Sequence, residues 1–152
     1  GPGDNRKESI RVGINGRCDS IQCAVVSEKL GIFENERQRR IASAKIYDER
    51  LAGKVEGQIG AASDESAYGL YTVRVPERDA IRAALQEKGV PTAIYYDTPI
   101  HQMPAFEQFA PPGGLPECER ASKEVLSLPM HPYLSEDQIH RVCDALLGAL
   151  QR

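Results

Sequence analysis

The stretch AYGLYTVRVPERDAIRAALQEKG at residues 67–89 decides the fold class of this chain. Its first nine residues alternate between apolar and polar side chains, with Leu70 as the exception, and therefore predict a half-buried strand that Pro76 ends. Residues 78–88 carry apolar side chains at helical spacing, and Gly89 predicts the end of that helix. A strand followed directly by a helix indicates helices packed on one sheet.

The same alternation of elements continues towards the C-terminus. Residues 91–96 predict a second strand, residues 117–124 a helix and residues 125–128 a third strand. Between them, residues 99–116 are rich in proline and glycine and predict an irregular surface segment. Residues 135–150 begin with a serine that acidic side chains follow, which predicts a final helix with a capped N-terminus.

The N-terminal third predicts one long helix. Asp19 is a suitable N-cap, and apolar residues recur at three- and four-residue spacing over residues 26–51. Gly31 is expected to bend or split this helix, because glycine costs about 1 kcal/mol relative to alanine in a helix interior. Residues 53–65 are glycine-rich and predict a loop with room for one short strand. The predicted fold class is therefore α+β, with a long N-terminal helical segment followed by the order β-α-β-α-β-α.

Length and charge exclude several classes of protein. The chain has 152 residues, which suits one domain, and a net charge of −3, whereas nucleic-acid binding leaves a strongly basic footprint. No apolar run reaches the ~18 residues of a membrane span, and the sequence shows no signal-peptide pattern. We therefore expect neither a nucleic acid nor a membrane as a partner.

The cysteines and histidines do not form a metal-binding pattern. Cys18, Cys23, Cys118 and Cys143 have no metal-ligand spacing among themselves or with the histidines. The first two lie five residues apart, which points them in different directions on a helix. We expect free, mostly buried thiols in a reducing compartment, and no metal site.

A first candidate site lies at residues 13–17, GINGR, where polar groups stand in irregular backbone. The backbone N–H groups, the Asn15 amide and the Arg17 guanidinium could together hold a phosphate or a carboxylate. The residues alone favour a simpler interpretation, in which the glycines only make a turn and Arg17 only forms a salt bridge.

A second candidate site lies at residues 95–101, YYDTPIH, at a strand end and in the loop after it. Tyr95, Tyr96 and His101 bring two phenols and an imidazole to a place where ligands often bind. Half-buried packing for the tyrosines, together with an exposed loop histidine, is an equally open interpretation of these residues.

Four segments taken in order resemble the DegT/DnrJ/EryC1/StrS family of pyridoxal-phosphate-dependent sugar aminotransferases. They are G-x-N-x-R-x-D-x-x-Q-x-A at residues 13–24, SAY-x-x-YTVR with the helix after it at residues 66–92, YY-x-x-PIH-x-x-PAF at residues 95–106, and A-x-x-EVLSLPMHP with the helix after it at residues 121–139. Together they cover essentially the whole chain from residue 11 onwards. The branch that acts on UDP-2-acetamido-3-oxo-glucuronate is the most similar.

The resemblance implies the aspartate-aminotransferase-like fold, of which this chain would be the C-terminal portion. Residues 5–52 would be the end of the large domain with a long connecting helix. Residues 53–152 would be the small α+β domain. Residues 1–4 are predicted to be the remnant of a cleaved tag.

The resemblance also implies a reaction. Family members use pyridoxal phosphate to move an amino group from L-glutamate to a keto-sugar nucleotide, for surface polysaccharides or amino sugars, as cytoplasmic homodimers. The lysine that carries the cofactor as a Schiff base would lie upstream, and none of the lysines here has its sequence context. The chain by itself is therefore predicted to hold no catalytic residue and to be inactive. The alternatives are a stand-alone binding or regulatory module derived from the family, and a structural fragment without a ligand.

Matched positions carry the implied site roles. Asn15 would reach the cofactor phosphate across the dimer interface, and Arg17 would bind the phosphate or the carboxylate of the substrate. Tyr95, Tyr96 and His101 would line the sugar-nucleotide pocket.

Two departures from the family pattern bear on the substrate. Tyr95 stands where histidine is commoner, and Asp97 replaces a usual proline. An acidic side chain beside an anionic sugar acid would repel it, which puts glucuronate in doubt as the sugar.

Overall fold

The computed structural model describes residues 15–58 and 66–151. The elements in this part of the chain are α1 (Ser20–Leu51), β1 (Tyr71–Arg74), α2 (Arg78–Glu87), α3 (Pro116–Glu124), β2 (Val125–Leu128) and α4 (Glu136–Leu150), with short 3-10 turns at Ile100–Gln102 and Glu107–Phe109. Helices packed on a small antiparallel sheet confirm the predicted α+β class. The predicted tag remnant and most of the predicted loop at residues 53–65 lie outside the described residues.

Helix α1 is continuous along its whole length. Asp19 caps it as predicted, because a carboxylate oxygen of Asp19 accepts the backbone N–H of Gln22 at 2.8 Å. Of the bend or split expected at Gly31, the split does not occur, since one glycine costs less than breaking a helix already formed on both sides. Burial begins only at Ser43, so the C-terminal part of α1 packs on the molecule and the remainder is largely exposed.

Strands β1 and β2 pair antiparallel, from Tyr71 opposite Leu128 to Arg74 opposite Val125. The strand β1 is shorter than predicted, because its ladder ends where the residues of β2 end. On the outer edge of β1, the N–H of Arg74 donates to the carbonyl oxygen of Glu56 at 2.8 Å. This single bridge lies within residues 53–65, for which the sequence predicted a loop that could contain one short strand.

The prediction of a strand over residues 91–96 is wrong. This segment meets the free edge of β2 through one bridge, Ala93 opposite Ser127. The two residues exchange both backbone hydrogen bonds, at 2.8 and 3.1 Å. The segment therefore covers the edge of the sheet without extending the ladder.

Local chemistry stops this ladder in both directions. The same register continued one way would set Pro91 against Pro129, and neither proline has an N–H to donate. Continued the other way, it would need the N–H of Val125, which already donates to the carbonyl oxygen of Ala121 at the end of α3, while the Val125 carbonyl oxygen accepts from the Arg78 guanidinium at 3.2 Å.

The core lies between the sheet and the helices α1, α2 and α4. Its largest fully buried side chains are Tyr47, Val73, Val75, Leu85, Leu126, Ile139, Cys143 and Leu146. The hydroxyl of Tyr47 donates to the carbonyl oxygen of Pro129 at 2.8 Å, and Arg50 on α1 pairs with Asp144 on α4. The long first helix is thereby joined to both the sheet and the last helix.

The expectation of mostly buried cysteines is wrong for Cys18, Cys23 and Cys118, which are exposed. Cys143 is buried in the core, and burial raises the pKa of its thiol to about 11, which makes it unreactive. Among the described residues, no group of histidine, cysteine and acidic side chains is placed to hold a metal ion. No helix in the described ranges has the length and apolar character needed to cross a membrane.

Replacing Leu126 with alanine is expected to lower the free energy of unfolding by roughly 2–5 kcal/mol, because truncation of this fully buried side chain leaves a cavity. Urea unfolding followed by circular dichroism measures the loss. Leu30→Ala on the exposed part of α1 is the matched control, and we expect it to change stability by less than about 0.5 kcal/mol. Equal losses in the two variants would contradict the position of the core.

Candidate functional site

The imidazole of His101 is held in one orientation by α3. The 3-10 turn Ile100–Gln102 carries this residue, and its side chain is 10% exposed. The ring nitrogen Nε2 lies 3.0 Å from Oε1 of Glu119, so the ring donates to the carboxylate from that nitrogen. His101 is therefore not the exposed loop histidine of the alternative interpretation.

Glu119 accepts two hydrogen bonds at the start of α3. Besides the imidazole, its Oε1 accepts the backbone N–H of Leu115 at 2.9 Å. The Leu115 hydrogen bond, followed by that of His101, lowers the pKa of the Glu119 carboxyl below its usual value of 4.5. The carboxylate therefore stays ionised at neutral pH and remains an acceptor for the imidazole.

A glycine makes room for this carboxylate. Gly114 has a φ of +72°, in the left-handed region, and its N–H donates to the carbonyl oxygen of Pro111 at 3.0 Å. A Cβ on Gly114 would lie 2.6 Å from Oε1 of Glu119, whereas one on Gly113 would meet open space. Both glycines serve the turn, but Gly114 also permits the contact between Glu119 and His101.

Tyr95 and Tyr96 form an exposed aromatic pair ahead of this turn. Their rings meet edge to face with centroids 5.6 Å apart, and the residues are 45% and 66% exposed. Tyr95 lines a cavity of about 500 Å³ beside β2, whereas His101 lines a cavity of about 390 Å³ under its own loop. The structure thus brings the two tyrosines together and directs His101 to a different place.

Asn15 and Arg17 lie together in the turn before α1. The Oδ1 of Asn15 accepts the backbone N–H of Arg17 at 3.0 Å, and Arg17 has a φ of +59°. They precede Ser20, the first residue of α1, which at a rise of ~1.5 Å per residue stands about 35 Å along the helix from its first buried residue, Ser43. In the described part of the chain, no hydrogen bond or ion pair joins them to the loop at residues 95–101. One copy of the chain therefore presents two separate candidate patches.

The donors before α1 suit an anion. The side-chain oxygen of Asn15 accepts the Arg17 N–H, and the NH₂ group of the same amide adds two donors. The exposed Arg17 guanidinium adds several N–H donors and a permanent positive charge. A phosphate group fits this donor set, as does a carboxylate. The first two residues of the GINGR motif lie outside the described residues.

Glu119 and Gly114 are functional candidates that the sequence patterns did not identify. The available signal was a glycine pair shortly before a helix that begins with proline and carries acidic residues in its first turn. That pattern predicts a left-handed turn and an acidic contact at the helix N-terminus. It does not predict that the carboxylate also reaches His101, 18 residues earlier in the chain.

Comparison with known proteins points to one family. The model of the DegT/DnrJ/EryC1/StrS aminotransferase family matches residues 2–147. A UDP-2-acetamido-2-deoxy-3-oxo-D-glucuronate aminotransferase from Pseudomonas aeruginosa is 42% identical over 147 residues, which cover 94% of this chain and 40% of that protein. A dTDP-3-amino-3,4,6-trideoxy-alpha-D-glucose transaminase from Streptomyces venezuelae is 37% identical over 137 residues, which cover 88% of this chain and 36% of that protein.

A solved structure shares the fold. The crystal structure of a DegT DnrJ EryC1 StrS aminotransferase from Brucella abortus matches with a TM-score of 0.83 and 38% identity, covering 99% of this chain and 40% of that one. The likeness confirms the predicted aminotransferase fold. The chain spans about 40% of the length of these relatives.

Gly114→Ala is expected to destabilise the chain more than Gly113→Ala. Both substitutions place a Cβ in the left-handed region, which costs about 1 kcal/mol, but only the first sets a methyl group against the Glu119 carboxylate. Urea unfolding of the two variants gives the difference, which we expect to be at least about 1 kcal/mol. Equal destabilisation would show that Gly114 serves only the turn.

The stabilising effect of Glu119 is expected to depend on pH. Its pKa is lower in the folded chain than the usual 4.5, so its contribution is complete above that value and is lost as the pH falls through the folded pKa. The unfolding free energies of the wild type and Glu119→Gln should therefore differ at neutral pH and approach each other as the pH falls below 4.5. A difference that stays constant over this range would rule out a contribution from the ionised carboxylate.

Proposed function

This chain belongs to the DegT/DnrJ/EryC1/StrS aminotransferase family, and we propose that it forms part of an enzyme that transfers an amino group from L-glutamate to a keto-sugar nucleotide. The observation that carries the proposal is the loop at residues 95–101, where two exposed phenol rings precede an imidazole fixed by Glu119. Exposed rings suit contact with a base or a sugar ring, and a fixed imidazole suits hydrogen bonding to a polar group. Identity of 42% to an aminotransferase named for a UDP-linked sugar supports the substrate class.

We propose pyridoxal phosphate as the cofactor of the whole protein. When bound, it supplies the electron sink through which an amino group passes between the donor and the acceptor. Asn15 would donate its NH₂ group to the cofactor phosphate, and Arg17 would bind an acidic group of the substrate. Their separation from the 95–101 loop supports a role in the active site of a second subunit rather than in their own pocket.

The substrate side of the proposal rests on three side chains. Tyr95 and Tyr96 would contact the nucleotide or the sugar through their exposed faces. His101 donates from Nε2 to Glu119, and its second nitrogen, Nδ1, would orient the sugar. The relatives are named for different sugars, so the proposal names the nucleotide-sugar class rather than glucuronate.

The remaining parts of the site would come from the rest of the protein. We propose that residues 5–52 belong to the end of a large domain with its connecting helix, and residues 53–152 to a small domain, in a cytoplasmic homodimer. The lysine that holds the cofactor would lie outside this chain, because none of the lysines here stands in the family's sequence context. The 152-residue chain alone is therefore proposed to be inactive.

The test is made on the full-length protein that contains this chain. His101→Ala is expected to raise the KM for the keto-sugar nucleotide about tenfold or more, because a fixed hydrogen bond worth roughly 1.5–3 kcal/mol is lost. Formation of the amino sugar from L-glutamate is the measured activity. Gln102→Ala, an exposed neighbour on the same turn, is the matched control and should leave the KM unchanged.

A second outcome of this test separates the alternatives. If the full-length protein makes no amino sugar, but the 152-residue chain binds a UDP-sugar in a calorimetric titration, the chain is a binding module and the enzymatic proposal is wrong. An unchanged KM in His101→Ala, in an active enzyme, would remove this residue from the substrate pocket.

A further inference from the structure

We propose that Cys18 and Cys23 form a reversible disulfide bond with each other, which makes the start of α1 a site of thiol oxidation. Both thiols are exposed, whereas Cys143 is buried in the core. The inference goes beyond the proposed aminotransferase function, because neither the cofactor nor a substrate of that reaction takes part in it.

The cap of α1 brings the two side chains together. Asp19 is the N-cap, so Cys18 is the residue before the cap and Cys23 is the fourth residue of the helix. Side chains at these two positions commonly pack on each other across a helix start. The expectation that five-residue spacing separates the two cysteines holds only inside a helix, and it does not apply here because Cys18 precedes α1.

Hydrogen bonds hold this arrangement on both sides of the cap. The Asp19 carboxylate accepts the backbone N–H of Gln22 at 2.8 Å, and the Asp19 carbonyl oxygen accepts that of Cys23 at 2.9 Å. The Cys18 thiol lies 3.8 Å from Oε1 of Gln22. It also hydrogen-bonds with the Cys23 side chain, which raises the pKa of the Cys18 thiol. The two sulfur atoms are therefore already in contact in the reduced chain.

Formation of the bond needs a disulfide oxidant, such as oxidised glutathione. The Cys23 thiol loses its proton to solvent, and its sulfur attacks the oxidant, forms a mixed disulfide and releases one glutathione thiolate. The Cys18 thiol then loses its proton, and its sulfur attacks the Cys23 sulfur and releases the second glutathione thiolate. The two thiolates take up the two protons, so two cysteines are oxidised and one oxidant is reduced to two thiols.

The order of the two attacks follows from the contact between the thiols. The raised pKa of Cys18 keeps its sulfur protonated at neutral pH, and a protonated thiol is a poor nucleophile towards a free oxidant. Its attack on the mixed disulfide is intramolecular, and contact with Cys23 gives it a high effective concentration there. Cys18 is therefore assigned the second step.

The bond would be reversible and would act on a neighbouring turn. Both sulfur atoms are exposed, and exposed disulfides are the ones that free thiols reduce most readily. Cys18 directly follows Arg17, whose backbone N–H is bonded to Asn15. The disulfide would thus restrain the turn that carries these two candidate anion-binding residues.

Trypsin provides a direct test, because it cuts after Arg17 and Lys29 and leaves both cysteines in one peptide, residues 18–29. The 152-residue chain is treated with oxidised glutathione, its remaining thiols are alkylated, and the peptides are weighed by mass spectrometry. We expect this peptide to lose both alkylation sites, to carry no glutathione and to be lighter than the reduced peptide by two hydrogen atoms. Excess dithiothreitol should restore both alkylation sites.

Controls show whether the fold causes the bond. In one glutathione redox buffer, the ratio of internal disulfide to free dithiol should be at least about tenfold higher in the native chain than in concentrated urea, because the cap holds the thiols in contact. In Cys23→Ser, Cys18 should keep any glutathione that it binds, because no second thiol displaces it. Cys118, an exposed thiol on α3, should behave in the same way in the wild type.

Three results would overturn the proposal. The first is a peptide 18–29 that is still alkylated at both cysteines or that carries only bound glutathione. The second is a disulfide from Cys18 or Cys23 to Cys118 or to a second chain in place of the internal bond. The third is an equal ratio of disulfide to dithiol with and without urea, because the folded helix start would then contribute nothing.

Discussion

Strand β2 must satisfy its backbone on both edges while its side chains are buried, and the rest of the structure depends on how it does so. One edge pairs with β1. The other is closed by the bridge from Ala93 and by the guanidinium of Arg78, which binds the carbonyl oxygen of Val125. A buried strand with open N–H or C=O groups would lose several kcal/mol, so these edge contacts are as necessary as the apolar core. Leu126 adds the packing, since it points from the centre of the strand into that core.

The geometry of the candidate substrate loop at residues 95–101 depends on the position of strand β2. Helix α3 passes into β2 without an intervening residue, because one ends at Glu124 and the other begins at Val125. The junction is fixed twice: Arg74 of β1 binds the Glu124 carboxylate at 2.6 Å, and the N–H of Val75 donates to the Glu124 carbonyl oxygen at 3.0 Å. The register of the sheet therefore fixes the position of α3. The position of α3 places Glu119, and the Glu119 carboxylate orients the imidazole of His101.

Sequence patterns predicted the parts of the fold that are governed by neighbouring residues. The helix starts at Asp19 and Ser135 were found because a cap lies within three residues of its partner. The prediction of a strand over residues 91–96 is wrong because continued pairing with β2 would oppose Pro91 and Pro129. These two residues are far apart in the chain, and only the tertiary register aligns them. The resemblance to a family identified the candidate site residues, whose roles stay predictions. The hydrogen bond from His101 to Glu119 could be found only in the folded chain. Patterns among neighbouring residues predict helix caps and turns, whereas contacts between residues far apart in the chain decide strand pairing and the support of the site.

Helix α1 is anchored to the rest of the molecule at one end. Its C-terminal part shares the core, whereas its first turns carry exposed apolar side chains, such as Leu30 and Phe33, and pass through Gly31. The exposed turns are stabilised by local hydrogen bonds and by solvent-screened pairs such as Glu34 with Arg37, which add little stability. The protection of backbone amides against hydrogen exchange would therefore differ along this one unbroken helix. In the isolated chain, protection would fall from the global unfolding free energy near Tyr47 to that of a marginal helical peptide near the N-terminus, so that a single helix spans two cooperative units.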